Sequence, residues 1–388
     1  MLEIITAGDS HGPGLNLIIN GFPRDLKFDR QSLEQDLKQR RSGFGRSGRM
    51  KIEQDAAEIL SGIRKGKTTG NPISIIVPNN DYENWQEHTC PEENLITNES
   101  PSMSRPRPGH VDLAACQKFL TKDARDAVER ASARSSVPYV IAGNLAKQFL
   151  INFNIDVVGY VKSIGPITAS NNDYSLPVLR KIVEASSLRC SDEQATSKMC
   201  ELIEKTKKNG DTLGGIIEIR SQGLCPGLGS FNQWFEKLDS KIAAAIIGIP
   251  AVKGVEFGDG FLLSQKLGSD THDVVTTERT NGMFPRASNN AGGIEGGLSN
   301  GAELMVRAVM KPLPTLGKPL NTIDLATKNN AKANTLRTDT CAVPACALIC
   351  ESMIAWTLAN SFLQRFGGIT MNEISEHYQA YQQALNQL

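Results

Sequence analysis

Two histidines stand in turns that no regular element can run through. His11 lies in Gly8-Asp9-Ser10-His11-Gly12-Pro13-Gly14, and His110 closes Arg105-Pro106-Arg107-Pro108-Gly109-His110. Proline fixes φ and removes a backbone donor, and glycine supplies turn conformations, so neither stretch continues a helix or a central strand. An imidazole on such a turn is free to reach a ligand, and it titrates near neutral pH. The chain has five histidines in all, so two in this setting point to proton transfer. A histidine serving only the core would sit on a periodic apolar face.

Cations gather around the same chemistry. Lys38, Arg40, Arg41, Arg46, Arg49 and Lys51 fall in one window without an acidic residue, interrupted by glycines 43, 45 and 48. A solvated charged face is the plain reading of such a run. Glycines between arginines break a regular helix and let guanidinium groups converge. Convergent arginines bind carboxylate or phosphate through paired planar hydrogen bonds. Arg105, Arg107, Arg125, Arg130 and Arg134 form a second supply beside His110. The expected ligand is a small molecule with several negative groups.

Two familiar phosphate motifs fail on context. Gly43-Phe44-Gly45-Arg46-Ser47-Gly48 matches G-x-G-x-x-G, but a helix precedes it and a strand follows, the reverse of a dinucleotide fingerprint. Gly62-Ile63-Arg64-Lys65-Gly66-Lys67-Thr68 is one residue short of a P-loop. Three other stretches read as ligand loops: Asn289 to Gly297, Lys311-Pro312-Leu313-Pro314-Thr315, and Arg337-Thr338-Asp339. The last could equally be a structural ion pair.

Composition sets the outer limits. The chain has 388 residues, 40% hydrophobic and 22% charged, with Lys+Arg and Asp+Glu both at 42. Balanced charge supplies no global field for nucleic acid or an anionic membrane. Met1 to Ala7 runs into the first glycine turn without a basic-then-apolar leader, so a cytoplasmic protein is expected. Eight cysteines form no dense disulfide pattern. Cys341, Cys346 and Cys350 read as packed thiols, and no metal site is expected. Ala342 to Leu363 is apolar but contains Glu351 and Asn360, and a mid-span carboxylate costs about 3 kcal/mol to insert. A buried helix starting near Pro344 fits better.

The elements that position these residues are mixed. Asp29 or Ser32 caps a helix with Leu33 and Leu37 on one face, ending near Arg41. Strands are expected at Met50–Ile52, Ile73–Pro78, Gly214–Arg220 and Met305–Met310, with strand and turn at Gly254–Phe261. Helical spacing dominates from Val111 to about Arg134 and from Val137 to about Phe153, where many small residues suggest a central helical layer. Leu238–Ile247 reads as a helix, the tail after Thr370 as a surface helix, and 171–208 as a polar peripheral excursion from a single domain spanning 1–388. No repeat is visible.

Taken in order, these segments resemble the chorismate synthase family. The resemblance runs through Gly8–Gly14, Arg40–Glu53, Gly66–Gly70, Arg105–Asp112, Glu129–Ser135, Asp211–Gly215, Val252–Phe261, Asn289–Gly301, Lys311–Thr315 and Arg337–Pro344. It implies an α+β fold, a β-α-β sandwich with long central helices flanked by antiparallel sheets, assembled as a homotetramer. It also implies elimination of phosphate from 5-enolpyruvylshikimate 3-phosphate to give chorismate, with reduced FMN required and no net redox change. By the same resemblance, His11 protonates the leaving phosphate, His110 keeps the flavin in its useful protonation state, and Asp339 serves as base. Substrate contacts carry over to Ser10, Arg40, Arg46, Arg49, Arg107 and Arg134. Flavin contacts carry over to Arg130, Ala131, Ser132, Pro250, Ala251, Gly296, Lys311, Pro312, Leu313, Pro314, Thr315 and Arg337.

Two positions depart from the family pattern. Asp9 stands where glutamate is usual, which puts the orientation of His11 in question. Pro250 stands where asparagine is frequent, which removes a side-chain amide. With its only G-x-G-x-x-G out of context and no inserted domain, the chain is expected to take reduced FMN from an external flavin reductase, NADPH acting only indirectly. Two other classes stay open on residues alone. A non-catalytic polyanion or flavin-binding module would not need both histidines. A nucleic-acid binder would use Arg40–Lys51 with Phe44 for stacking, against balanced charge and few aromatics.

Overall fold

The computed structural model describes residues 1–46, 55–89, 102–279, 282–335 and 338–388. The strand expected at Met50–Ile52 therefore lies outside the described residues, as do Arg49 and Arg337.

Alternation of apolar residues builds the first sheet. Leu15, Leu17 and Ile19 on strand Gly14–Asn20 are buried, and they pair in antiparallel register with Val77, Ile75 and Ile73. Strand Glu3–Ala7 joins one side of this pair and Glu58–Ser61 the other, giving four strands. Gly8 takes φ +105°, and a Cβ there would lie 2.3 Å from the Gly14 carbonyl oxygen. That close approach closes the hairpin whose loop carries His11.

The second sheet has five antiparallel strands, running Val252–Phe257, Leu304–Met310, Gly215–Gln222, Asp156–Ile164 and Ile167–Thr168. Between the sheets lie helices Arg30–Arg41, Val137–Leu150 and Val343–Phe366. Asp29 caps the first of these by accepting from the backbone N–H of Gln31 and Ser32. Its last turn carries Lys38, Arg40 and Arg41, which suits the negative end of the helix dipole. The longest helix has 89% of its most apolar window buried, so it is the core of the sandwich. A Cβ on Gly143 would come within 2.5 Å of the Ser352 Cα, so the small-residue face lets two core helices touch backbone to backbone.

The helical run expected from Val111 to Arg134 is interrupted. Helix Asp112–Phe119 ends where Leu120 turns left-handed, and a second helix starts only at Arg125. The Asp123 carboxylate accepts the backbone N–H of both Met103 and Arg125, offering the chain a local alternative to helix. Segment 171–208 forms helices Leu176–Ala185 and Glu193–Lys208. Leu176, Leu179 and Val183 pack on Val158 and Tyr160 of the second sheet. The final helix, Met371–Gln387, begins with a capping box between Thr370 and Glu373.

Candidate active site

A cavity of about 1170 Å³ opens beside the helical layer, and both turn histidines line it. Ser10, Arg40, Arg46, Arg107, Arg134 and Asp339 share its wall. So do Ala131, Ser132, Pro250, Ala251, Lys311, Leu313, Pro314 and Thr315. Ile249, Met310, Ala345, Cys346 and Ile349 supply an apolar side. Three expected contacts lie outside this lining. Arg130 turns back to the first strand, donating to the Thr6 carbonyl and hydroxyl at 3.0 and 2.7 Å. Pro312 sits in the lining loop without facing the cavity, and Gly296 lies at the tip of the hairpin between Ile294–Glu295 and Leu298–Ser299.

Each histidine is held by a buried carboxylate from a helix. His11 Nδ1 lies 2.8 Å from Glu129 Oε2, and the backbone N–H of His11 and the hydroxyl of Ser10 donate to that oxygen at 2.9 and 2.7 Å. The Trp85 ring covers the imidazole with centroids 3.9 Å apart. Burial works to raise the Glu129 carboxyl, yet the bonds from His11 and Ser10 prevail and hold it below the usual range. Asp9 does not orient the imidazole. Burial and the nearby Glu129 push its carboxyl up instead.

His110 Nδ1 meets Asp112 Oδ1 at 2.5 Å. The Arg107 fork binds both oxygens of the same carboxylate, at 2.8 and 3.0 Å, and donates to the Thr315 hydroxyl at 3.0 Å. Burial would raise Asp112, but His110 and Arg107 hold it far below the ordinary carboxylate range. Lys311 donates to the Gly109 carbonyl, so the Lys311–Thr315 segment is tied twice to the His110 turn.

The remaining arginines are anchored by protein groups. Arg40 binds Asp55 at 3.0 Å and the Ala133 carbonyl at 3.0 Å. Arg134 donates to Asn79 at 2.9 Å, and Asn79 donates to the Gly12 carbonyl beside His11. Asp339 pairs with Arg46 at 2.8 Å, a partner far away in sequence; the Arg337–Asp339 ion pair considered above lies outside the described residues. Together these groups make a cavity with one cationic wall, one apolar side and two aimed imidazoles. Such a space suits a polyanionic substrate against a flat aromatic cofactor.

Sequence reasoning attached no role to Glu129, Asp112, Asp55 or Trp85. Glu129 carries no local signature, and only its distant partner reveals it; Asp112 lies within five residues of both of its partners, His110 and Arg107. In the stretch Asn289–Gly297, read as a ligand loop, the first residues are tied to neighbouring backbone. Asp273 binds the backbone N–H of Asn290 and Ala291, and a Cβ on Gly292 would fall 2.2 Å from the Gly258 nitrogen. Gly62–Thr68 is a hairpin with Ile63 paired to Thr68, which excludes a phosphate-binding loop there.

Residues 2–363 match the family model described as chorismate synthase. A chorismate synthase of Symbiobacterium thermophilum is 45% identical over 388 residues, covering 98% of each chain. One of Geobacter sulfurreducens is 43% identical over 387 residues, again covering 98% of each. A crystal structure titled chorismate synthase superposes with a TM-score of 0.79 at 31% identity, covering 100% of this chain and 99% of that one.

Proposed function

The chain belongs to the chorismate synthase family, and on that premise we propose that the 1170 Å³ cavity is where its reaction runs. The protein is a carbon–oxygen lyase that forms chorismate and phosphate from 5-enolpyruvylshikimate 3-phosphate, and its family requires a reduced flavin. The observation that carries the site assignment is the convergence of His11 and His110 on one cavity with Arg40, Arg46, Arg107 and Arg134. A substrate with a phosphate and two carboxylates needs several fixed cations, and here each is held in place before binding.

The residues present fit reduced FMN. Pro250, Ala251 and Met310 provide an apolar bed, and Ala251 adopts φ +69°, which brings its backbone to the cavity edge. Lys311, with Thr315, stands where a phosphate tail needs a cation and a hydroxyl, and Ala131 and Ser132 line the adjoining wall. These residues would hold reduced FMN against the substrate ring, where the flavin would supply transient electron density with no net redox change. His11 gives its proton to the departing phosphate. His110, steadied by Asp112, holds a proton at the cofactor side. Asp339, steered by Arg46, is the carboxylate placed to receive one. The remaining assignments, Arg49, Arg130, Pro312, Gly296 and Arg337, rest on the family resemblance.

We also read the chain as one domain spanning 1–388 with 171–208 as its excursion. We read it as a cytoplasmic homotetramer that depends on an external flavin reductase, with NADPH acting only through it. Exposed Phe231, Trp234, Phe235 and Phe261 support self-association, since they are surface that a partner copy would cover. The decisive assay is anaerobic incubation with substrate and dithionite-reduced FMN, scored by released phosphate and chorismate absorbance. His11→Ala and His110→Ala should each lower kcat by about 10²–10⁴-fold. Unchanged kcat in both would refute the site assignment. Aerobic turnover with NADPH and FMN but no added reductase would refute the dependence on an external source.

A further inference from the structure

Within the loop that carries His11, one side chain holds both the histidine ring and the backbone around it. Glu129, 5% exposed, accepts from the Ser10 hydroxyl, the His11 backbone N–H and the His11 ring. The Ser10 N–H adds a bond of 3.2 Å to the Glu129 main-chain carbonyl. Arg125, one turn earlier on the same helix, lies 3.9 Å from Oε1, too far for a direct hydrogen bond to compete with the imidazole. Glu129 stays ionised, as its lowered pKa indicates. An ionised carboxylate only accepts, so the short contact to Nδ1 requires a proton on Nδ1. Trp85 packs on the ring at 3.9 Å and Thr89 holds the His11 carbonyl, which restricts rotation of the imidazole away from this carboxylate. Among the described residues, no protein group bonds Nε2.

We infer that Glu129 is the positioning residue for His11: it keeps a proton on Nδ1 and turns Nε2 toward the cavity, so that the imidazolium gives up its Nε2 proton and is left as the Nδ1–H tautomer. Histidine outside such a contact prefers the opposite tautomer, with hydrogen on Nε2, and the hydrogen bond at one nitrogen decides the state of the other. A carboxylate that sets the tautomer of a working imidazole is worth up to about 10⁴-fold in kcat. Asp9, the carboxylate next to His11 in sequence, takes no part in this.

This inference rests on His11 as the proton donor, so the test separates the two. Magic-angle-spinning ¹⁵N NMR of the sedimented full-length chain at about pH 9 reads the tautomer directly. The His11 signal is identified by its loss in His11→Asn. The expected result is hydrogen on Nδ1. The common Nε2–H tautomer would overturn the inference, whatever the enzyme's activity. In parallel, Glu129→Gln keeps the shape and removes the charge. It should lower kcat by about 10²–10⁴-fold with KM within about threefold. Unchanged kcat, or a loss confined to KM, would overturn the positioning role. If His11→Asn itself kept full activity, the proton-donor reading would fail, while the tautomer would still judge Glu129. The spectrum needs no substitution at Glu129, so it decides even if Glu129→Gln does not fold.

Discussion

At the scale of single residues, Arg40, Arg46, Arg107 and Arg134 are each oriented by a protein partner before any ligand arrives. Arg107 shows this best, with two bonds to Asp112 and one to Thr315. Its planar fork satisfies all three at once, which an ammonium on a flexible stem cannot do. Arg107→Lys should therefore reduce kcat/KM by about 10–100-fold, equivalent to about 1.4–2.8 kcal/mol. A parallel change in the pH profile is expected because Asp112 also holds His110. Steady-state kinetics under anaerobic conditions check this, and a variant within twofold of the parent would count against it. The histidines and arginines were legible in sequence because glycine and proline turns cannot belong to ordinary elements. Glu129 and Asp112 were not, because a carboxylate on a short helix looks like solvated surface until its partner is placed.

At the scale of elements, close approach of backbones organises the helical layer. The small residues between Val137 and Phe153 gave the right expectation of tight packing, and Gly143 is where that packing is tightest. Gly143→Ala would drive a methyl into Ser352 and should destabilise the protein by about 1–3 kcal/mol. Urea unfolding would reveal this as a lowered midpoint with an unchanged slope, and an unchanged midpoint would contradict the packing. The strands Ile73–Pro78 and Leu304–Met310 and the helix Leu238–Ile247 were readable from local pattern. The break at Leu120 was not, since helical spacing continues across it and only the Asp123 bonds to Met103 and Arg125 interrupt the chain. The apolar stripe of helix Leu176–Ala185 was hidden within a polar stretch for the same reason: three buried residues suffice to dock it.

At the scale of the whole molecule, one buried charge network joins the layers. Glu351 in the longest helix accepts from Lys147 at 2.6 Å, from Arg189 at 2.8 Å and from the Gly159 backbone N–H at 2.9 Å. Lys147 also pairs with Asp36 at 2.8 Å, one turn before Arg40. The network thus ties two central helices and a strand of the second sheet to the helix that delivers Arg40 to the cavity. Burial works to raise the Glu351 carboxyl, but Lys147, Arg189 and Arg180 outweigh it and bring it to about 2. A carboxyl depressed in the folded state adds stability above its unfolded value near 4.5, and that stability is lost as pH falls toward about 2. Glu351→Gln leaves two buried cations short of a partner and should cost roughly 3–5 kcal/mol at neutral pH. Its stability should also fall less steeply than the parent's between about pH 4.5 and 2. Equal slopes in urea titrations across that window would show that the network is not the acid-sensitive element.

Local order in the chain determined the turns, the amphipathic strands, the apolar core helix and the types of group available for chemistry, because each follows from neighbours within a few residues. Tertiary structure decided which carboxylate meets which imidazole. It also decided that Arg46, far away in sequence, meets Asp339, and that Gly292 and Gly293 serve a close backbone crossing. The His11–Glu129 and Arg46–Asp339 contacts join parts of the chain more than a hundred residues apart, while His110 meets Asp112 across a single turn. Hydrogen bonding and desolvation act over a few ångströms of space, with no regard to distance along the chain.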